Sequence, residues 1–457
     1  MAISLYSKVI LKIKQKFGKD KDFNEVAKGG SQAFIINLIG LGTGYLFVIL
    51  VSRIYKSSSA EIYGQYVLVT LLLRIGSILT RFGTDTTMLQ LTAGFSTKKL
   101  WGNIIDVNKK LLKLMFAFGV VVTLLVVLFY KQWGALLKLP GTMILITAPF
   151  IIPMALGLFY SQSLRGLKQI SVSTFLRSSA LPILNFVLLP VFLIFVSRKS
   201  PFFNDLPSYT FFASIVITAI LGWYYWNKAE RTAGSERNYD VEQSRTSRVL
   251  FNASYPLLLA ESMIFIGTWV DQLLLGVMGT PADVGIFNVC VKYAMVASLS
   301  LQAVNTISAP KFSEYFFKKD YQGLAQNVQK TTKMIFWTTI PIVVLYFVFP
   351  KFLLGIFGSS FTPGWIAFII LAFGALVNVM TGSVGTLLQM TGHQKVLQNI
   401  LLVSIIIEVG LNVILIPLYG VTGAAIASTF CSCLKNLVMA YYVKKYFNFN
   451  SIYLFGL

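Results

Sequence analysis

Apolar residues run along this chain in blocks of about twenty or more, and polar residues collect in the short gaps between them. A helix needs about 20 residues to cross a hydrocarbon core of about 30 Å, and blocks of that length predict membrane-spanning helices. Twelve are expected, near 30–53, 63–83, 110–130, 140–163, 172–196, 208–226, 250–278, 284–308, 332–354, 362–390, 396–417 and 420–443. The longest polar connection, "NKAERTAGSERNYDVEQSRTSR", separates the first six from the last six. The expected division is a basic segment over 1–28, an N-lobe over 29–226, a linker over 227–249, a C-lobe over 250–445 and a tail over 446–457. The fold class is all-α and polytopic.

A repeat joins the two halves. "SAEIYGQYVLVTLLLR" and "PADVGIFNVCVKYAM" each follow a long apolar helix, pass through an acid and a glycine, and open the next helix. Matching Gly64 to Gly285 sets an offset of 221 residues. Six helices lie between the copies, so both run in the same direction, which predicts two pseudo-symmetric six-helix bundles related by an axis along the membrane normal.

Composition sharpens this picture. The chain has 457 residues, a mean hydropathy of +0.71 and only 12% charged residues. A formal charge of +22 would suggest nucleic acid in a soluble protein. Here topology accounts for most of it, and no nucleic-acid partner is expected. With the N-terminus in the cytoplasm, 29 of the 39 lysines and arginines fall in cytoplasmic segments and seven in outer ones. That asymmetry predicts both termini inside. The first 28 residues interleave seven lysines with apolar residues, as either a basic helix on an anionic membrane face or a solvated tail.

Several chemistries are excluded. No GxxxxGK[ST] phosphate loop is present, so ATP hydrolysis does not drive this chain. The three cysteines show no disulfide or metal spacing, and His393 is the single histidine. No cofactor or metal is expected. Outer loops of at most about a dozen residues leave no room for an external catalytic domain.

Charges inside the spans carry the candidate chemistry, because an ionisable group at bilayer depth costs about 2.5–3.5 kcal/mol on insertion scales. Arg74 and Lys292 follow Gly64 and Gly285 by ten and seven residues, on one helix face. Asp271 and Lys292 flank the turn near Gly279 at similar distance, and are expected to face each other as a structural or a coupling pair. The first six helices hold no acid at mid-membrane depth to neutralise Arg74. Arg74, Arg81, Lys292, Asn288 and Gln302 are expected to bind substrate, and Asp271, Glu261 and Glu408 to couple ions or gate. For Arg81, anchoring by the positive-inside rule is an equal reading; Lys435 is expected to snorkel.

"AEIYGQY", "RFGTDTTML", "SLRGLKQ", "ASYPLLLAESMIFIGTWVDQLLLG", "VGIFNV", "LLQMTGHQKV" and "LNVILIPLYGVTGAAIAS" occur in this order over nearly the whole chain. Together they resemble the Wzx-type lipid-linked oligosaccharide flippases, polysaccharide transporters of the multidrug/oligosaccharidyl-lipid/polysaccharide exporter superfamily. The resemblance implies two lobes around a central cavity that opens alternately to each side of the bacterial inner membrane. Its substrate would be an undecaprenyl-diphosphate-linked oligosaccharide for O-antigen, capsule or exopolysaccharide. H⁺ or Na⁺ would be the coupling ion, membrane lipids the surroundings, and the polysaccharide polymerase and chain-length machinery the partners. A diphosphate suits the bidentate fork of Arg better than Lys. A lipid II flippase of the same superfamily, usually with fourteen helices, is the alternative. A cation-coupled small-molecule antiporter would need buried acids in the N-lobe, and a glycan polymerase a large outer loop.

Overall fold

The computed structural model describes residues 21–232 and 238–453. The basic segment expected at the N-terminus lies, up to residue 20, outside the described residues, as do 233–237 in the linker.

The described chain is built from helices. The first half comprises α1 (Lys21–Tyr55), α2 (Ser59–Arg81), α3 (Thr84–Thr97), α4 (Trp101–Leu128), α5 (Tyr130–Leu137), α6 (Gly141–Thr147), α7 (Ile151–Gly166), α8 (Ile170–Thr174), α9 (Ala180–Phe195) and α10 (Leu206–Thr232). The second half comprises α11 (Ser247–Met278), α12 (Pro281–Ala297), α13 (Leu299–Phe317), α14 (Tyr321–Val348), α15 (Pro350–Ile356), α16 (Trp365–Thr381), α17 (Val384–Met390), α18 (Gln394–Tyr419) and α19 (Val421–Phe447).

Among the described residues, ten stretches are long and apolar enough to cross a membrane, or eleven if α12 and α13, bent by 43°, form one span. One of the ten, Gln32–Arg81, holds 50 residues. A straight helix of that length would reach about 75 Å, far beyond one bilayer core. It is interrupted at Lys56–Ser58, where Lys56 takes a left-handed φ of 51°. The expected count of twelve is reached only if α1 and α2 are two spans.

The surface identifies the solvent. Only 11% of the most apolar window of α11 is buried, and Ile194, Phe195, Leu128 and Phe352 stand exposed. Water would penalise such faces by about 25 cal/mol per Å², whereas lipid does not. The chain is a multi-pass membrane protein.

Local sequence explains where helices start and stop. At α12, Thr280 accepts from the Asp283 amide at 3.2 Å while Asp283 accepts from the Thr280 amide at 2.8 Å, a capping box with Pro281 in the first turn. Helix ends use lysine in an unusual way. Among the described residues, Lys56, Lys99, Lys138, Lys168 and Lys319 are five of the seven non-glycine residues with positive φ. Each accepts a conformation that costs an L-residue about 1–2 kcal/mol. A cation near the negative end of a helix dipole is favourable, and Lys138 Nζ reaches the carbonyls of Met278 and Gly279 at the end of α11.

The described residues form two compact units. Unit 1 takes residues up to Phe47, Leu73–Leu128 and Leu145–Leu259; unit 2 takes Val48–Leu72, Phe129–Ile144 and Ala260 onward. Unit 1 packs around Met88, Ile104, Leu111, Phe159 and Trp226. Unit 2 has one cluster around Phe312, Leu324, Leu388 and Val443 and another around Ile335, Phe336 and Val379.

Candidate functional site: a buried acid pair and a glycine crossing

Unit 2 contains a close crossing of α2 and α12. A Cβ built on Gly64 would collide with the Pro281 carbonyl and lie 3.1 Å from the Gly285 amide nitrogen. One built on Gly285 would collide with the Ala60 carbonyl and lie 3.0 Å from the Gly64 nitrogen. The two glycines matched by the sequence repeat therefore touch each other reciprocally, as equivalent positions do across a two-fold axis. Beside them, the Tyr63 hydroxyl donates to Asn288 Oδ1 at 2.7 Å, and Asn288 Nδ2 donates to Gln272 Oε1 at 2.8 Å. Both ends of the Asn288 amide are engaged in a buried chain linking α2, α12 and α11, so the residue expected to bind substrate also holds these helices together.

Further along α11, also in unit 2, Asp271 Oδ1 accepts from Asn412 Nδ2 at 2.7 Å. Ser428 and Glu408 are within hydrogen-bonding reach of the same carboxyl, and Lys435 contributes an electrostatic attraction. Glu408 in turn bonds to Asp271 and feels Lys435. Asp271, Glu408 and Asn412 are all buried. Like charges this close at depth repel each other, and a proton on either carboxyl would relieve the repulsion. The Asn412 side-chain oxygen, itself buried, has no hydrogen-bond donor among the described residues. The cluster gathers two carboxyls, an amide and a hydroxyl, with the Lys435 ammonium as counter-charge.

The expected facing of Asp271 and Lys292 is corrected by this cluster. Asp271 is turned toward α18 and α19, and Lys435 is the cation that acts on it. Lys292 is half-buried and has partners of its own. Glu261 is half-buried with interactions of its own, and the interactions recorded for the cluster do not include it. Of the three expected coupling acids, the structure brings two together. Lys435 and Ser428 had a sequence signal: with Cys431 they recur at seven- and three-residue spacing on one face of α19, as Glu408 and Asn412 do at four on α18.

The expected anion-binding residues have different surroundings. Arg81 is buried in unit 1 and forms a salt bridge with Asp85 across the α2–α3 junction. There the chain turns through Phe82 (φ 49°) and Gly83 (φ 74°), and a Cβ on Gly83 would lie 2.8 Å from the Leu258 amide of α11. Thr87 Oγ1 and Ser254 Oγ bond at 2.8 Å alongside. Arg81 thus belongs to a buried structural contact. Arg74 is half-buried on α2 and takes part in interactions with its surroundings. Gln302 is exposed on α13.

This arrangement of helices is shared with solved membrane transporters. An inward-facing multidrug resistance transporter of the MATE family superposes with a TM-score of 0.71 at 13% identity, covering 91% of this chain and 98% of that one. The lipid II flippase MurJ in an inward closed conformation gives 0.67 at 14% identity, covering 92% and 87%. At such identities the likeness concerns the fold. The family model described as "Polysaccharide biosynthesis protein" matches residues 26–316, and the chain belongs to that family. Among curated proteins it is similar to the "Probable low-salt glycan biosynthesis flippase Agl15" of Haloferax volcanii, 25% identical over 203 residues, 44% of this chain and 43% of the relative. It is also similar to the "Capsular polysaccharide biosynthesis protein CapF" of Staphylococcus aureus, 23% identical over 202 residues, 43% and 50% of the two chains. The chain spans about half the length of these relatives or less.

Proposed function

We propose that this protein is a secondary transporter that flips undecaprenyl-diphosphate-linked oligosaccharide units from the inner to the outer leaflet of the bacterial cytoplasmic membrane. It counts twelve spans in two six-helix lobes, with both termini cytoplasmic. The observation that carries the reading is the Asp271–Glu408 carboxyl pair, buried mid-helix in a chain of the polysaccharide biosynthesis family. Ionisable groups at such depth serve function by default. Protonation of the pair neutralises it against Lys435. Deprotonation leaves one excess negative charge among α11, α18 and α19, a change large enough to bias which lobe arrangement is stable.

Arg74 contacts the diphosphate in this scheme by exchanging its resident partner for phosphate oxygens, which a guanidinium engages in bidentate fashion. Coupling by H⁺ or Na⁺ replaces nucleotide hydrolysis. The test is flipping of a labelled isoprenyl-diphosphate sugar in vesicles carrying the purified protein, with an imposed proton or sodium gradient. Gradient-dependent flipping is expected, lost in Glu408→Gln. Flipping that ignores both gradients would reject the coupling, and no flipping by a well-folded protein would reject the substrate. Deletion of the gene should also let lipid-linked intermediates accumulate, read by mass spectrometry.

A further inference from the structure

Unit 1 holds a cavity of about 670 Å³ where three helix ends meet: the α3–α4 turn, the α7–α8 turn and the end of α10. That volume lies within the range of small-molecule sites, about 300–1,000 Å³. Four candidate spans begin or end at its walls, at Trp101, Gly166, Ile170 and Thr232. The cavity therefore lies at the depth where lipid headgroups lie.

The molecule contains its own comparison. Lys98–Lys99 and Lys318–Lys319 are 220 residues apart and close the same turn. In one, Leu100 N bonds Phe95 O at 3.0 Å; in the other, Asp320 N bonds Tyr315 O at 3.0 Å. The second turn repeats as well: Gln169 N bonds Leu164 O at 3.0 Å, and His393 N bonds Leu388 O at 2.9 Å. Both are Schellman caps. The ends of α10 and α19 correspond through Tyr224–Tyr225 and Tyr441–Tyr442, each pair followed by a lysine, Lys228 or Lys445.

In unit 2 the equivalent space is occupied by an aromatic stack. His393 lies on Tyr446 at 4.2 Å between ring centroids and against Phe316 at 6.5 Å. Unit 1 carries Ser96, Gln169 and Ala229 where unit 2 carries Phe316, His393 and Tyr446. Three ring-bearing side chains of unit 2 thus have small or polar counterparts in unit 1, on the same frame of caps.

Its lining has a readable chemistry. Lys168 and Lys228 line it from two walls and supply positive charge, and Trp101 and Tyr225 line it as well. Thr97 Oγ1 donates to Gly94 O at 2.7 Å, Ser96 Oγ to Ala93 O at 3.1 Å, and Thr232 Oγ1 to Lys228 O at 2.8 Å. Each hydroxyl has spent its one proton on its own helix, so toward the cavity it acts as an acceptor. Acceptors match ligand hydroxyls, whereas ammonium groups match phosphate.

We propose that this cavity binds the headgroup of a membrane lipid that joins a phosphate ester to a hydroxyl-bearing polyol. An anionic phosphoglycerol lipid and an isoprenyl-phosphate-linked sugar both present that chemistry. The inference does not depend on transport.

The test is native mass spectrometry of the full-length protein released from micelles, titrated separately with phosphatidylglycerol, an isoprenyl-phosphate monosaccharide, phosphatidic acid, phosphatidylcholine and glycerol 3-phosphate. At least one of the first two should bind tenfold or more tighter than phosphatidylcholine, and its identity names the source. That binding should fall at least tenfold in Lys168→Gln/Lys228→Gln and in Ala229→Tyr, the latter borrowing the residue unit 2 already carries. Ser96→Phe stands in if Ala229→Tyr is not monodisperse. A control that removes the same charge from the helix ends of unit 2, Lys318→Gln/Lys445→Gln, should bind as the unaltered protein does. Equal binding by the cavity variants and the control would overturn the site. Phosphatidic acid binding as tightly as the hydroxyl-bearing lipids would overturn the polyol assignment, and glycerol 3-phosphate binding as tightly as either lipid would overturn the membrane source.

Discussion

Unit 1 and unit 2 close their helix ends with the same hydrogen-bonded caps, yet one junction encloses a basic cavity and the other an aromatic plug. Their buried charges differ in the same spirit. Unit 1 seals Arg81 against Asp85, while unit 2 puts Asp271 and Glu408 together with Lys435 as the opposing charge. A duplicated frame has thus been filled twice with different chemistry. Backbone geometry survives because capping and packing of the helix ends set it, whereas side-chain size and charge at a few positions decide what each copy can bind.

The comparison breaks most visibly at the acids. Asp271→Asn or Glu408→Gln should lower gradient-driven transport at least tenfold at normal membrane levels. Asp85→Asn should instead leave any transport by surviving protein coupled. The corresponding loss in unit 1 is one of stability: removing the carboxylate from buried Arg81 should cost about 3–5 kcal/mol, as breaking buried ion pairs does. Thermal unfolding in detergent measures it, and the double variant Arg81→Met/Asp85→Leu should recover most of the loss. Retention of full stability by Asp85→Asn would show that the two units do not differ in this way.

The glycine crossing in unit 2 comes next. Gly64→Ala and Gly285→Ala each press a methyl into a backbone carbonyl, and about 1–3 kcal/mol of destabilisation is expected from such overpacking. Because the glycines touch, the double variant should depart from additivity, which a double-mutant cycle detects. Smallest are the size exchanges. Phe316→Ser opens part of the aromatic plug and should cost about 2 kcal/mol, less than a fully buried ring because Phe316 is only partly covered. Ala229→Tyr fills space already present and should cost under about 1 kcal/mol. If Ala229→Tyr proves the more destabilising, the equivalence of the junctions fails.

Much of this molecule is written locally in its sequence. Span length and hydropathy follow from one residue after another, so the membrane class and most helix positions were legible. The capping box at Thr280–Asp283 and the repeat of Gly64 with Gly285 are local patterns as well. The acids Asp271 and Glu408 were conspicuous because charge in an apolar run is costly wherever that run packs. What periodicity does not contain is which faces meet. Asp271 turns to Asn412, 141 residues away, and Asn288 is consumed by Tyr63, 225 residues away, because helix rotation and crossing decide those contacts. The burial of Arg81 with Asp85 and the place of Lys435 beside the acid pair have the same origin. The cavity is the clearest case: Ser96, Gln169 and Ala229 are ordinary residues in three distant segments. Only when the helix ends converge does their small size become a volume, since empty space is a property of what surrounds it.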